Sequence, residues 1–193
     1  AYAFMLLGPQ PTAAALAEAQ AAWHAGDGAA AWPSWALSNH DAPRVATRWA
    51  QGDLARTRQL LALLACLRGT VFLYQGEELG LPQAELALED LQDPFGRAHW
   101  PHTPGRDGCR TPMPWRARAH ALGFTTGKPW LPMAPAHQAL AVDSQEADTG
   151  STLHLTRRLL ALRRRHAALR LGDLATLHAD EQVWVLRRQH GAD

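Results

Sequence analysis

Two clusters of polar residues, each directly after a short apolar run, are where this sequence could do chemistry. Asn39-His40-Asp41 follows the run 32–37, and Gln75-Gly76-Glu77-Glu78 follows the run 70–74. In parallel barrels, functional groups stand at the carboxyl ends of strands, so both placements are informative. A carboxylate there can stabilise a transition state of oxocarbenium character, and a neighbouring imidazole can bond sugar hydroxyls. The competing reading is architectural. Asp41 would cap the turn before Pro43 with His40 packed beside it, because Asn, Asp and Pro are turn formers. His99, His102 and Cys109 lack the spacing of a zinc finger and a fourth partner, so loop packing is the simpler account and no metal is expected. Cys66, among helix leucines, reads as a core thiol.

The elements that must position these groups follow from punctuation and periodicity. Residues 1–7 are an apolar run closed by Gly8, Pro9 and Pro11, which predicts a buried strand. Thr12 then caps an alanine-rich helix to residue 25, stopped by Gly26 to Gly28. A second strand over 32–37 leads into the first polar cluster. Asp53 is an N-cap for the strongest helix, 54–68, whose leucines at 60, 61, 64 and 67 share a face. Gly69 ends it, and 70–74 make a third strand. Strand, helix, strand, helix, strand with short connections reads as consecutive βα units on a parallel sheet.

From 81 to 151 periodicity nearly vanishes, and nine of the thirteen prolines fall between Pro82 and Pro135. Trp100, Trp115, Phe124 and Trp130 argue against disorder, so this is read as a long ordered loop over a site. An amphipathic helix over 155–169 follows, with Arg163–Arg165 as a solvated face. Residues 174–178 and 182–188 read as a hairpin with Trp184 in its core.

Composition narrows the classes further. The 193 residues are 47% hydrophobic and 19% charged, ordinary for a globular chain. Nineteen basic against eighteen acidic residues give a formal charge of +1, which carries no polybasic footprint for nucleic acid or an anionic membrane. No run approaches the ~20 apolar residues of a membrane span. Two cysteines make no disulfide framework, so a reducing, cytoplasmic setting is expected. A (β/α)₈ barrel needs about 250 residues. The chain opens on Ala1 inside an apolar run, and the expectation is a portion of something longer.

The strings SNHDAPR (38–44), GTVFLYQGEELGLP (69–82), DPFG (93–96), GRDGCRTPMPW (105–115) and GFTTGKPWLP (123–132) closely resemble the α-glucosidase branch of the α-amylase superfamily, glycoside hydrolase family thirteen. They cover about half the chain in the family's order. The resemblance implies that Asp41 is the transition-state stabiliser, gripping two hydroxyls of the sugar at the cleavage site, with His40 on the same ring. It also implies that Arg106 or Arg110 reaches the non-reducing end of that sugar. Arg106 is favoured without being settled, against a purely structural pairing of an arginine with Asp107. Glu77 and Glu78 match a motif ending the eighth barrel strand and are expected to hold loops. No cofactor is implied, and the substrate would be an oligosaccharide or disaccharide.

The departure from the family is large. A retaining glycosidase needs a nucleophile and an acid/base carboxylate about 5–5.5 Å apart. In this family they belong to the fourth and fifth barrel strands, and nothing in 1–33 resembles either motif; Glu18 and Asp27 fall in helix and turn. The expected fold is therefore α/β: about strands six to eight of a partial (β/α)₈ barrel over 1–170, then the start of a small all-β domain over 171–193. The expected function is a portion of a retaining α-glucosidase, inactive alone. A non-catalytic glucosidase-like scaffold is the alternative from another class, and trehalose-synthase or sucrose-cleaving relatives stay open.

Overall fold

A computed structural model describes residues 3–23 and 32–192. In chain order the helices are α1 (Ala13–Ala22), α2 (Val45–Arg48), α3 (Leu54–Cys66), α4 (Pro94–His99), α5 (Val142–Glu146), α6 (Thr152–Arg165) and α7 (Ala167–Leu171). The strands are β1 (Ser34–Ala36), β2 (Thr70–Phe72), β3 (Asp173–Ala179) and β4 (Trp184–Gln189). They fold as two compact units, one of residues 1–37, 59–73 and 157–193, the other of 38–58 and 74–156.

In the first unit β1 and β2 run parallel, Trp35 opposite Val71. The helices end where the sequence punctuates them. The Thr12 hydroxyl accepts from the Ala15 amide at 3.1 Å and starts α1; the expected stop at Gly26 to Gly28 lies outside the described residues. Gly69, at φ +134°, is required beyond α3, since a Cβ there would lie 2.7 Å from the Trp35 indole nitrogen. Leu61, Leu64 and Leu67 are buried with Trp35, Ala36 and Leu37, as the spacing predicts. β3 and β4 pair antiparallel, with Asp173 opposite Gln189.

Three readings change. Residues Phe4–Leu7 form a 3-10 turn, and the strand-like feature nearby is one bond from the Ala3 amide to the Ser34 carbonyl at 2.9 Å. A short apolar run without alternation suits a buried turn as well as a strand, so the run could not decide. Arg163 is buried rather than solvated. Its guanidinium donates to the carbonyls of Ala65 (2.7 Å), Leu67 (2.9 Å) and Gly69 (2.6 Å), groups left over where α3 ends. Trp184 is only half-buried, its indole N–H donating to the Thr176 hydroxyl at 3.0 Å.

In the second unit the long loop is ordered without any strand, through short turns over buried leucines. Leu79, Leu81 and Leu153 make one cluster, and Leu86, Leu91 and Leu131 another. Gln145 ties it together, donating to the carbonyls of Leu79 and Leu140 and accepting from the Leu153 amide. That amide opens α6, which starts three residues earlier than its apolar pattern suggests because Ser151 accepts from the His154 amide.

Candidate active site

The turn after β1 is built by Asn39. Its side-chain oxygen accepts from the amides of Asp41 and Ala42, both at 2.8 Å, so Asn39 and not Asp41 closes the turn. The Asp41 carboxylate is thereby released, and its side chain is half exposed at 52%. Its Oδ1 accepts from Arg106 Nη1 at 3.2 Å and from Arg110 Nη2 at 3.0 Å. Its Oδ2 lies 3.3 Å from His40 Nε2. Arg110 also donates from Nε to the His40 carbonyl at 2.7 Å. Asp41, His40, Arg106 and Arg110 meet at one point, with both arginines on the Asp41 carboxylate.

The arginine is not pinned by Asp107. Asp93 does that, in a fork of Nε to Oδ2 at 2.9 Å and Nη2 to Oδ1 at 2.8 Å, while the Arg106 amide also donates to Oδ2. The Asp93 carboxylate has no solvent exposure, and the Arg106 guanidinium holds it well below the usual carboxylate range. Asp107 serves the backbone, accepting from the amides of Gln92 (2.6 Å) and Asp93 (2.7 Å). Sequence reasoning quoted DPFG without giving Asp93 a role. The available signal was an aspartate before Pro-Phe-Gly, which caps α4 through the Phe95 amide at 3.3 Å.

Of the Gln75–Glu78 cluster, Gly76 and Glu77 are buried, Glu78 is half-buried and Gln75 is exposed. Gly76 and Gly80, at φ +87° and +72°, fold Glu77–Leu79 into a tight turn. Glu77 Oε2 accepts from the Tyr74 amide at 3.1 Å, and Glu78 Oε2 from the Gly76 amide at 2.8 Å. Burial pushes the Glu77 carboxyl up to about 7, against the pull of the Ser38 hydroxyl, the Tyr74 amide and the Arg44 guanidinium. Among the described residues no group of three or more His, Cys, Asp or Glu is placed to hold a metal ion. Nor is any helix long and apolar enough to cross a membrane.

Residues 9–172 match the alpha-amylase catalytic domain. The chain belongs to that family. Among alpha-amylase relatives it is 47% identical over 163 residues to a protein of Rhizobium meliloti named "Probable alpha-glucosidase", covering 83% of this chain and 29% of that protein. It is 32% identical over 189 residues to an oligo-1,6-glucosidase of Halalkalibacterium halodurans, covering 87% and 34%. A solved structure of an alpha-glucosyl transfer enzyme, XgtA, superposes with a TM-score of 0.91 at 48% identity, covering 98% of this chain and 36% of that one. The trehalulose synthase MutB of Pseudomonas mesoacidophila follows at 0.80 and 25%, covering 94% and 37%. This alpha-amylase family chain thus spans about a third of the length of the relatives it matches.

Proposed function

We propose that the chain supplies the sugar-gripping side of a retaining α-glucosidase active site. It would form strands six to eight of the (β/α)₈ barrel over 1–170, with 171–193 opening the β-domain beyond. The reaction is cleavage of terminal α-linked glucose from oligosaccharides or disaccharides, in the cytoplasm and without a cofactor. The observation that carries this reading is the Asp41 carboxylate, relieved of turn duty by Asn39 and held half exposed between two guanidinium groups. Two guanidinium groups hold its Oδ1 in place, and a carboxylate bonds sugar hydroxyls more strongly as positive charge grows on the ring. Oδ1 is taken by the arginines, so Oδ2 and His40 face the sugar. Arg106 and Arg110 both frame that position.

Bond cleavage needs two further carboxylates. Asp93 and Asp107 are fully buried and bonded to guanidinium and backbone, and Glu77 and Glu78 are turned to their own loop. On this reading the nucleophile and proton donor would come from barrel residues outside this sequence. A glucosyl-transfer outcome is the second reading, favoured by the 48% identity to an alpha-glucosyl transfer enzyme; a sugar hydroxyl would then replace water as acceptor.

The test is a chimera in which this chain replaces the segment it matches in the Rhizobium meliloti relative. The chimera is expected to release nitrophenol from nitrophenyl α-glucoside, and Asp41→Asn to cut kcat by orders of magnitude with an unchanged near-UV spectrum. The 193-residue chain alone is expected to stay at background. Near-normal kcat in the Asp41→Asn chimera would return Asp41 to a role in the turn. Analysis of products from maltose separates hydrolysis from transfer.

A further inference from the structure

Within the same unit one charged side chain is buried too deeply to touch a substrate and yet bonds two of the turns beside the site. Arg44 is 1% exposed. Its guanidinium donates from Nη1 to the Gln75 carbonyl at 2.6 Å and from Nη2 to the Cys109 carbonyl at 3.1 Å. Its amide donates to the Gln83 side chain at 3.0 Å. The guanidinium lies 5.4 Å from the centre of the Tyr74 ring, and the Tyr74 hydroxyl donates to the same Cys109 carbonyl at 3.0 Å. Room for it is made by Gly76, where a Cβ would come within 2.8 Å of Nη1.

We propose that Arg44 is a positioning residue, fastening the turn that carries Arg106 and Arg110 to the turn that carries Asp41. Cys109 sits between the two arginines in sequence, and its thiol donates to the Arg106 carbonyl at 3.0 Å, so holding the Cys109 carbonyl sets where both arginines start. Asp41 lies three residues before Arg44 on the other turn. Among the described residues no carboxylate bonds directly to the guanidinium; Glu77 and Glu78 act on it only at a distance, and burial lowers its pKa from the ordinary arginine value. A planar cation bridging two carbonyls over an aromatic ring is a task lysine cannot copy. A misplacement near 1 Å at a catalytic group can cost about 10²-fold.

This inference rests on the proposed function, and the same chimera tests both. Arg44→Ala and Arg44→Lys are expected to lower kcat by about 10²-fold with KM changed by less than about threefold. Added methylguanidinium should restore several-fold of the Arg44→Ala loss and none of the Asp41→Asn loss. Should Arg44→Ala not fold, Tyr74→Phe keeps the ring under the guanidinium and deletes the second donor to the Cys109 carbonyl, along with a bond to the Gln75 side chain; it should reproduce a smaller fall in kcat at unchanged KM and Tm. A normal kcat in Arg44→Lys or in Tyr74→Phe, beside an inactive Asp41→Asn, overturns the positioning role. A loss in Arg44→Ala that methylguanidinium leaves untouched overturns it too. Near-normal Asp41→Asn instead overturns the functional reading itself.

Discussion

In the first unit the arginines finish regular structure. Arg163 takes three carbonyls at and beyond the end of α3, and Arg188 takes those of Cys66, Gly172 and Asp173 beside the hairpin. There Arg68 also lies 3.9 Å from the exposed Asp173 carboxylate, a single loose pairing; in the second unit one carboxylate stays half exposed between two cations, each within hydrogen-bond distance. Guanidinium groups that serve the backbone stabilise; on the function proposed above, the pair that converges on Asp41 serves the site. Substitutions in the first unit should therefore read out as stability, and those around Asp41 as rate.

The largest expected effect concerns the first unit's surface. It exposes Phe4 at 69% and Phe72 at 50%, and an apolar cavity of about 450 Å³ opens among Ala3, Phe4, Met5, Ala19, Ala22 and Trp23. A two-stranded parallel sheet with such a margin invites association. The 193-residue chain alone is expected to self-associate in size-exclusion chromatography, and the chimera to run as a defined species. A clean monomer of the chain with a cooperative melt would break the contrast.

Next comes Arg163→Met. Leaving three buried carbonyls unserved should cost roughly 3–6 kcal/mol in denaturant unfolding of the chimera, with kcat per folded molecule unchanged. A fall in kcat would show that the two units are not separable in this way.

Glu77 sharpens the comparison through pH. Its folded pKa is raised to about 7, so the folded state holds the proton more tightly than the unfolded chain. Stability from this group is complete below about pH 4.5 and lost as pH rises through 7. Glu77→Gln should remove that slope and add at most about 3 kcal/mol at pH 8, with little change at pH 4. Unfolding curves at the two pH values decide it. Asp93 works with the opposite sign, since its folded pKa is lowered by Arg106. The stability it gives is present above about pH 4 and declines as pH falls further. Asp93→Asn should cost about 2 kcal/mol at neutral pH and flatten that acid limb. Smallest of all, His178→Ala removes an exposed pairing with Asp180 and should leave the melt of the chimera where it was.

Where local rules govern, the sequence could be read directly. Asp53 does begin α3, its carboxylate accepting from the Ala55 amide at 2.7 Å; Gly69 does follow it, and the β3–β4 hairpin runs close to its alternating pattern. The motif strings brought Asp41, His40, Arg106 and Arg110 to attention, and the fold assembles all four. What stayed hidden were pairings across irregular backbone. Asp93 reaches Arg106 across 13 positions and Arg44 reaches Cys109 across 65, with no period to betray either. Arg163 was misread because a run of arginines says nothing about which one meets orphaned carbonyls. The turn at Phe4–Leu7 was missed because seven apolar residues fit more than one backbone.

Asp93 and Asp107 between them accept four amide protons, from Gln92, Asp93, Phe95 and Arg106, in a stretch whose one regular element is the short α4. Such protons exchange with solvent only when the carboxylates let go, which makes them reporters on the opening of the loop itself. Hydrogen exchange across 92–106 would then show a slow island inside a proline-rich segment whose sequence suggests fast exchange throughout. Because Asp93 also anchors Arg106, the rate at which that island opens sets an upper limit on how long the grip on Asp41 survives.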